Sequence, residues 1–293
     1  DLSIVDFSKS IIAEHTLPLP LGHKADTTLE RAMLLIHETL SSIDAEASEL
    51  VGIGVAVAAP VATSDHTIAI PGILPGWDGV DITSPLRTAF NVPVYVDNDA
   101  NFAAYGESRM GVAAGKRNFV YISASDGVGA GIVINGEIMH GVTGLAGEIG
   151  HIPVEPHRLK CPCGQYGCLE TVCSGASVGR LWPNADPPMP DLIRRAKKRE
   201  AKAVDVLDMV VRAIGDTIQI LAQSVDPRLI VLGGGMAKTG EPLVEVITAE
   251  LRRRESQCRF LETLDLPARL RLAPVGQPVG AIGAAMADRK SVV

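Results

Sequence analysis

The 293-residue chain is predicted to adopt an α/β fold, because short apolar strands, glycine-rich loops and amphipathic helices alternate along nearly its whole length. Composition supports this. With 46% hydrophobic and 21% charged residues the chain can bury a sizeable core, in one large or two medium domains. It shows no short-period repeat and no low-complexity tail that would suggest a solenoid or a disordered arm.

In chain order, residues 2 to 17 predict two short strands around a turn near Ser8 and Lys9, and Leu29, Met33, Ile36 and Leu40 mark one face of a helix. Val51, Ile53, Val55 and Val57 alternate as a strand that ends at Pro60. After a Gly- and Pro-rich loop from Pro71 to Gly79, a strand is expected over Val92 to Val96 and a helix over Ala100 to Arg109. Phe119 to Ile122 and Gly131 to Ile134 predict a strand pair around a Gly-rich turn. A Gly, Pro and Cys-rich stretch follows, and then Leu207, Val210, Ile214, Ile218, Leu221 and Val225 trace an amphipathic helix from Ala203 that stops at Asp226 and Pro227. Leu229 to Leu232 reads as a buried strand running into Gly233, Gly234 and Gly235, and a last helix is expected over Ala281 to Asp288. Two basic runs, Arg194 to Arg199 and Arg252 to Arg254, read as solvated helix faces. In such folds ligand sites collect at the carboxyl ends of the strands.

The net charge of −7 argues against a broad nucleic-acid-binding face, since that affinity rests on Lys and Arg neutralising phosphates. DNA contact is therefore expected only through a segment absent from this chain. No run of about 18 apolar residues and no secretory signal pattern occurs, so the expectation is a cytoplasmic protein with no membrane partner.

Four of the five cysteines lie within thirteen positions, which points to metal rather than a disulfide framework. His151 precedes Cys161, Cys163 and Cys168 in the frame C-x-C-G-x-x-G-C. Three thiolates and one imidazole suit tetrahedral zinc, and Gly164 and Gly167 let the short loops fold back so that every sulfur points inward. No position is left open, so such a site is structural rather than hydrolytic. The competing explanation is a group of packed, reduced cysteines, for which Pro162 and the glycines leave little apolar surface; Cys173 reads as a core thiol of that kind. Spacing alone leaves His151 and His157 both open as the fourth ligand.

The frame G-E-I-G-H at 147 to 151, followed by C-P-C-G-Q-Y-G-C-L-E at 161 to 170, resembles the ROK family of bacterial sugar kinases and sugar-responsive repressors. V-D-N-D-A-N at 96 to 101 resembles its catalytic-aspartate segment, D-G-V-G-A-G-I at 126 to 132 its second phosphate loop, and V-L-G-G-G at 231 to 235 its nucleotide-side loop. The resemblance implies a two-lobed actin-like, ribonuclease-H-like ATPase fold of the sugar kinase type with a zinc loop at 151–168. A smaller lobe over 1–106, its first strand missing, is expected to be completed by a C-terminal helix at 278–293, and a larger lobe to span 107–277.

Carried over by position, the resemblance implies that Asn98, Asp99, Glu148, His151 and Glu170 surround a hexose-like sugar, and it favours His151 as the fourth zinc ligand. Carboxylates and an amide placed edge-on suit sugar hydroxyls, each of which donates and accepts. Plainer roles compete: Asn98 or Asp99 as a helix cap, Glu148 as a solvated side chain, Glu170 as the start of a helix. In a kinase Asp99 is the general base, ATP and magnesium are the cofactors, and Gly127, Gly129, Gly131, Gly233, Gly234 and Gly235 face the nucleotide, although such glycines also form plain turns. Two departures favour a repressor's effector domain over a kinase. Asp126 stands where kinases of this kind usually carry Thr, and no D-x-G-G-T loop occurs, the chain beginning inside what resembles the second strand. A homodimer or homotetramer is also implied; a body serving dimerisation alone is disfavoured by the clustered acidic groups.

Overall fold

The computed structural model describes residues 2–18, 24–154, 156, 158–276 and 278–287. The chain divides into two compact units, one of Asp1–Met110, Ile138–Ala146 and Pro278–Val293, the other of Gly111–Glu137 and Gly147–Gln277. The expected lobes differ from these in two ways. The first unit continues to Met110, and it also takes up Ile138–Ala146, a segment whose hydrogen bonds go to Asp97 and Thr63 of that unit.

In the first unit, β1 (Leu2–Val5) and β2 (Ile11–His15) form an antiparallel ribbon. Asp6 shapes its turn by accepting the Ser10 N–H and the Ser8 hydroxyl, and Lys9 takes φ +71°. Helix α1 (Ala25–Ser41) buries Leu29, Ile36 and Leu40, with Met33 half-buried against the same core. β3 (Ile53–Val57) lies parallel to β4 (Val94–Asn98), with Ile53 opposite Val94 and Val57 opposite Asn98. β4 begins two residues later than expected because Pro93 has no N–H to donate; its carbonyl instead accepts from Ile53.

Between them α2 (Thr83–Phe90), which the apolar pattern does not reveal, is entered through Asp81. The Asp81 carboxylate accepts the Thr83 and Ser84 N–H groups and both hydroxyls lie on it, holding its pKa at about 2. Helix α3 (Asp99–Met110) packs against the closing helix Val279–Met286, the described part of the segment expected over Ala281 to Asp288. The two backbones approach so closely that a Cβ on Gly106 would overlap the Val279 carbonyl and one on Gly283 the Phe102 carbonyl. Asp288 lies outside the described residues.

The second unit is built on a five-stranded sheet of β5 (Phe119–Ala124), β6 (Val128–Ile134), β7 (Glu137–Ile138), β8 (Leu229–Gly233) and β9 (Leu270–Leu272), in the order β7-β6-β5-β8-β9. β5 pairs antiparallel with β6 and parallel with β8. The predicted hairpin is longer than its apolar runs, because the ladder continues through Gly129 and Val128 to Ala124.

Four helices follow β7: α4 (Glu170–Cys173), α5 (Gly175–Leu181), α6 (Pro188–Lys197) and α7 (Ala201–Val225). α7 buries Val210, Ile214, Ile218 and Leu221 on one stripe and ends where Asp226 turns to φ +42° before Pro227. After β8 come α8 (Gly234–Ala237) and α9 (Glu241–Glu255), and α6 and α9 both pack on α7.

The second basic run departs from expectation. Arg254 is only 12% exposed; it pairs with Glu250 and Asp216 and donates to the Arg212 carbonyl, tying α9 to α7. Burial alone pushes Glu250 upward, but the guanidinium groups of Arg253 and Arg254 outweigh it and hold the carboxyl below its ordinary value. No helix of the described residues is long and apolar enough to cross a membrane.

Candidate functional site

Asn98 and Asp99 stand where β4 gives way to α3, in the first unit. Both side chains accept the Ala100 N–H at 2.8 Å; Asn98, directly before α3, fills the capping role that the sequence allows, while Asp99 is the first residue of the helix. Asn98 also donates through Nδ2 to the Ala59 carbonyl at 3.2 Å, which fixes the face of its amide. The Asp99 carboxyl reaches solvent, yet the protein crowded around it raises its pKa, with the Ala100 N–H pulling the other way.

Glu148, His151 and Glu170 belong to the second unit. G-E-I-G-H lies along β6, where a Cβ on Gly147 would overlap the Ala130 carbonyl and one on Gly150 the Val128 carbonyl. Gly147 sits at φ +100° and accepts the Ala130 N–H at 2.8 Å. Half-buried Glu148 then precedes a 3₁₀ turn, Ile149–His151. Glu170 opens α4, as a helix-starting acid does, but its carboxylate also reaches across to accept the Val128 N–H at 3.2 Å. That oxygen lies 3.4 Å from where a Cβ on Gly150 would sit, so the fold brings Glu170 against the G-E-I-G-H segment.

The four predicted ligands converge. One atom each from His151, Cys161, Cys163 and Cys168 lies within 4.8 Å of every other, a set that could hold a metal ion. Cys163 Sγ to Cys168 Sγ and Cys161 Sγ to His151 Nδ1 are both 3.8 Å. A zinc–sulfur bond of about 2.3 Å gives a tetrahedral S–S edge of about 3.8 Å, so the thiol spacing fits that ion. Gly164 at φ +95° and Gly167 at φ +78° close the loops that carry the sulfurs. Burial, followed by the adjoining thiols Cys163 and Cys161, pushes Cys168 up to about 12, and burial raises Cys161 as well. Cys163 moves the other way: burial raises it, but hydrogen bonds from Gln165 and the two neighbouring thiols outweigh that and hold it below its ordinary value. All three thiols ionise together only when a cation balances their charge. His157 lies outside the described residues. Cys173 is a buried core thiol against the Val210 carbonyl, its pKa raised by burial.

A cavity of about 650 Å³ opens in the second unit beside the glycine-rich loops. Pro187, Pro188, Met189 and Pro190 line an apolar side, and Ser125, Asp126, Gly234, Gly235 and Lys238 are among the other lining residues. The glycines predicted to face a nucleotide separate into two groups. Gly234, at φ +73°, and Gly235 border the cavity, and Gly127 lies on the exposed turn. Gly129 and Gly131 are ladder residues of β6 opposite Ser123 and Tyr121, and Gly233 ends β8 where any Cβ would overlap the Tyr121 ring.

A model of the ROK family matches residues 1–290. The chain belongs to the ROK family. ROK relatives fall on both sides of the kinase–regulator divide. A glucokinase of Halalkalibacterium halodurans is 34% identical over 85% of this chain and 79% of its own. The DNA-binding transcriptional dual regulator NagC of Escherichia coli K12 is 30% identical over 84% of this chain and 63% of its own. Among solved structures, a ROK family glucokinase from Streptomyces griseus in complex with glucose and AMPPNP superposes with a TM-score of 0.77 at 25% identity, covering 99% of this chain and 95% of that one. The chain therefore has the actin-like ATPase fold.

Sequence reasoning missed Ser125, which binds the two glycine loops together. Its Oγ accepts the Gly235 N–H at 2.8 Å, its carbonyl accepts from Gly175, and its N–H donates to the Gly127 carbonyl. A serine ahead of a glycine turn carries no periodicity that would have marked it. The apolar wall at Pro187 to Pro190 was likewise unmarked, since prolines in sequence read only as breaks.

Proposed function

We propose that this chain is the sugar-sensing domain of a ROK-type transcriptional regulator. In this reading Asn98, Asp99, Glu148, His151 and Glu170 hydrogen-bond the hydroxyls of a hexose-like sugar, and His151, Cys161, Cys163 and Cys168 hold a structural zinc ion. The zinc secures the loop that carries His151. With Nδ1 turned to the sulfurs, His151 keeps Nε2, on the opposite edge of its ring, for a hydroxyl.

The observation that carries the regulator reading is the charge at the phosphate loop. Asp126 lines the cavity beside Gly234 and Gly235, and the Glu170 carboxylate already takes the Val128 N–H. A triphosphate needs donors and cations at such a loop, and carboxylates there repel it. Sugar binding shifts the balance between conformations that the DNA-binding part of a regulator reads. With a net charge of −7 these residues offer no phosphate-gripping face, so DNA contact is made outside them. We further assign the protein to the cytoplasm as a homodimer or homotetramer.

Two observations favour the kinase reading. The raised carboxyl of Asp99 suits a general base, and the cavity has room for a nucleotide. In that reading Asp99 takes the proton of the sugar hydroxyl that attacks the γ-phosphate of ATP, and magnesium balances the charge. Calorimetry with glucose, N-acetylglucosamine and xylose, followed by ATP and magnesium on the sugar-saturated chain, separates the two. The regulator reading expects sugar binding without tight ATP binding and without sugar phosphate. Stoichiometric ATP binding with formation of sugar phosphate overturns it in favour of the kinase.

A further inference from the structure

The carboxylate of Asp97, directly before Asn98 and Asp99, is turned to a different task from theirs. Its Oδ1 accepts the N–H of Asn98 at 2.7 Å and the Nδ2 of buried Asn101 at 2.8 Å, so one oxygen fixes both the end of β4 and the first turn of α3. Its Oδ2 meets His140 Nε2 at 2.7 Å, from forty-three residues away. A carboxylate oxygen only accepts, so the imidazole donates from Nε2. The Asp97 side chain is 15% exposed, and a charge-assisted bond at that depth is only partly screened.

His140 sits on the strap Ile138–Ala146, which is fastened to the first unit at further points. The Thr63 hydroxyl donates to the Val142 carbonyl at 2.7 Å, and a Cβ on Gly144 would overlap the Val61 carbonyl. The strap closes on itself where the Ala146 N–H donates to the His140 carbonyl at 3.1 Å. It then runs in sequence straight into Glu148 and His151.

We infer that His140 is a positioning residue for the sugar-binding pair Asn98 and Asp99, acting through Asp97; the inference rests on the sugar reading above. His140 holds one oxygen of Asp97, and the other oxygen sets the backbone from which both binding side chains project. Without the imidazole, Asp97 is free to turn, and the pair loses its fixed geometry.

The test uses the 293-residue chain as wild type, His140→Ala, His140→Gln and, as a control on the same strap, Val142→Ser, whose side chain is 93% exposed. For the sugar that the wild type binds, His140→Ala is expected to bind about 10-fold more weakly, with metal content unchanged and the melting temperature lowered by only a few degrees. His140→Gln, whose amide nitrogen can reach Asp97, recovers most of the affinity, and Val142→Ser matches the wild type. Amide exchange at Asn98, read without sugar, is faster in His140→Ala and restored in His140→Gln. Wild-type exchange in His140→Ala, or a glutamine variant as defective as the alanine, overturns the inference. Altered exchange in a chain that binds no sugar overturns the sugar reading and leaves His140 as a holder of Asp97 alone.

Discussion

At the scale of single residues, burial and hydrogen bonding set what each acid can do. The fold raises the Asp99 carboxyl above its ordinary value of 3.8, so it favours the protonated form. This destabilisation is absent at pH values below 3.8 and develops as pH rises through the higher folded value. Asp99→Asn is therefore expected to melt at a higher temperature than the wild type at pH 7, with the gap narrowing as pH falls toward 3.8, as thermal scans across pH will record. Asp126 makes a second prediction. If its charge is what turns phosphate away from the cavity, Asp126→Thr binds ATP and magnesium measurably better, by about tenfold for the removal of one nearby charge. Equal affinity of wild type and variant in a calorimetric titration rules out that explanation.

At the scale of elements, close backbone approach dictates composition. α3 and the closing helix Val279–Met286 meet through Gly106 and Gly283, and a side chain at either position collides with a carbonyl rather than with a movable side-chain end. Gly283→Ala is expected to cost about 1–3 kcal/mol in denaturant unfolding. Gly179→Ala in α5, where nothing lies within 4 Å of the new methyl, is expected to be neutral or to stabilise by about 0.5–1 kcal/mol. Comparable losses at the two positions contradict the close-packing explanation. The same reasoning accounts for Gly147 and Gly150, whose lack of side chains lets Glu148 and His151 lie along β6.

At the scale of the whole molecule, the proposed metal loop would couple stability to sugar binding. His151 is proposed both as a metal ligand and as a sugar contact, so treatment with a chelator is expected to lower the melting temperature and to weaken sugar binding together. Metal analysis by mass spectrometry alongside calorimetry checks this, and full sugar affinity in metal-free protein contradicts the coupling.

Local signals carried much of this. Apolar periodicity located α1, α7 and β8, because one buried face per element leaves a regular trace in sequence. The tight frame of three cysteines and two glycines announced the convergence of His151, Cys161, Cys163 and Cys168, because these residues lie close along the chain and glycine readily closes such short loops. By contrast, α2 has too few apolar positions for a period to register, and the start of β4 turned on a proline carbonyl paired with another strand.

The sequence by itself determined the α/β class, the family resemblance and the metal-ligand frame, all of which rest on short-range spacing. Only the tertiary structure decided which of His140, Ser125 and Arg254 had partners, and which glycines border the cavity rather than fill a ladder. Their partners lie 43, 110 and 38 residues away respectively. Contacts between distant segments follow from how elements stack, and no local period records that.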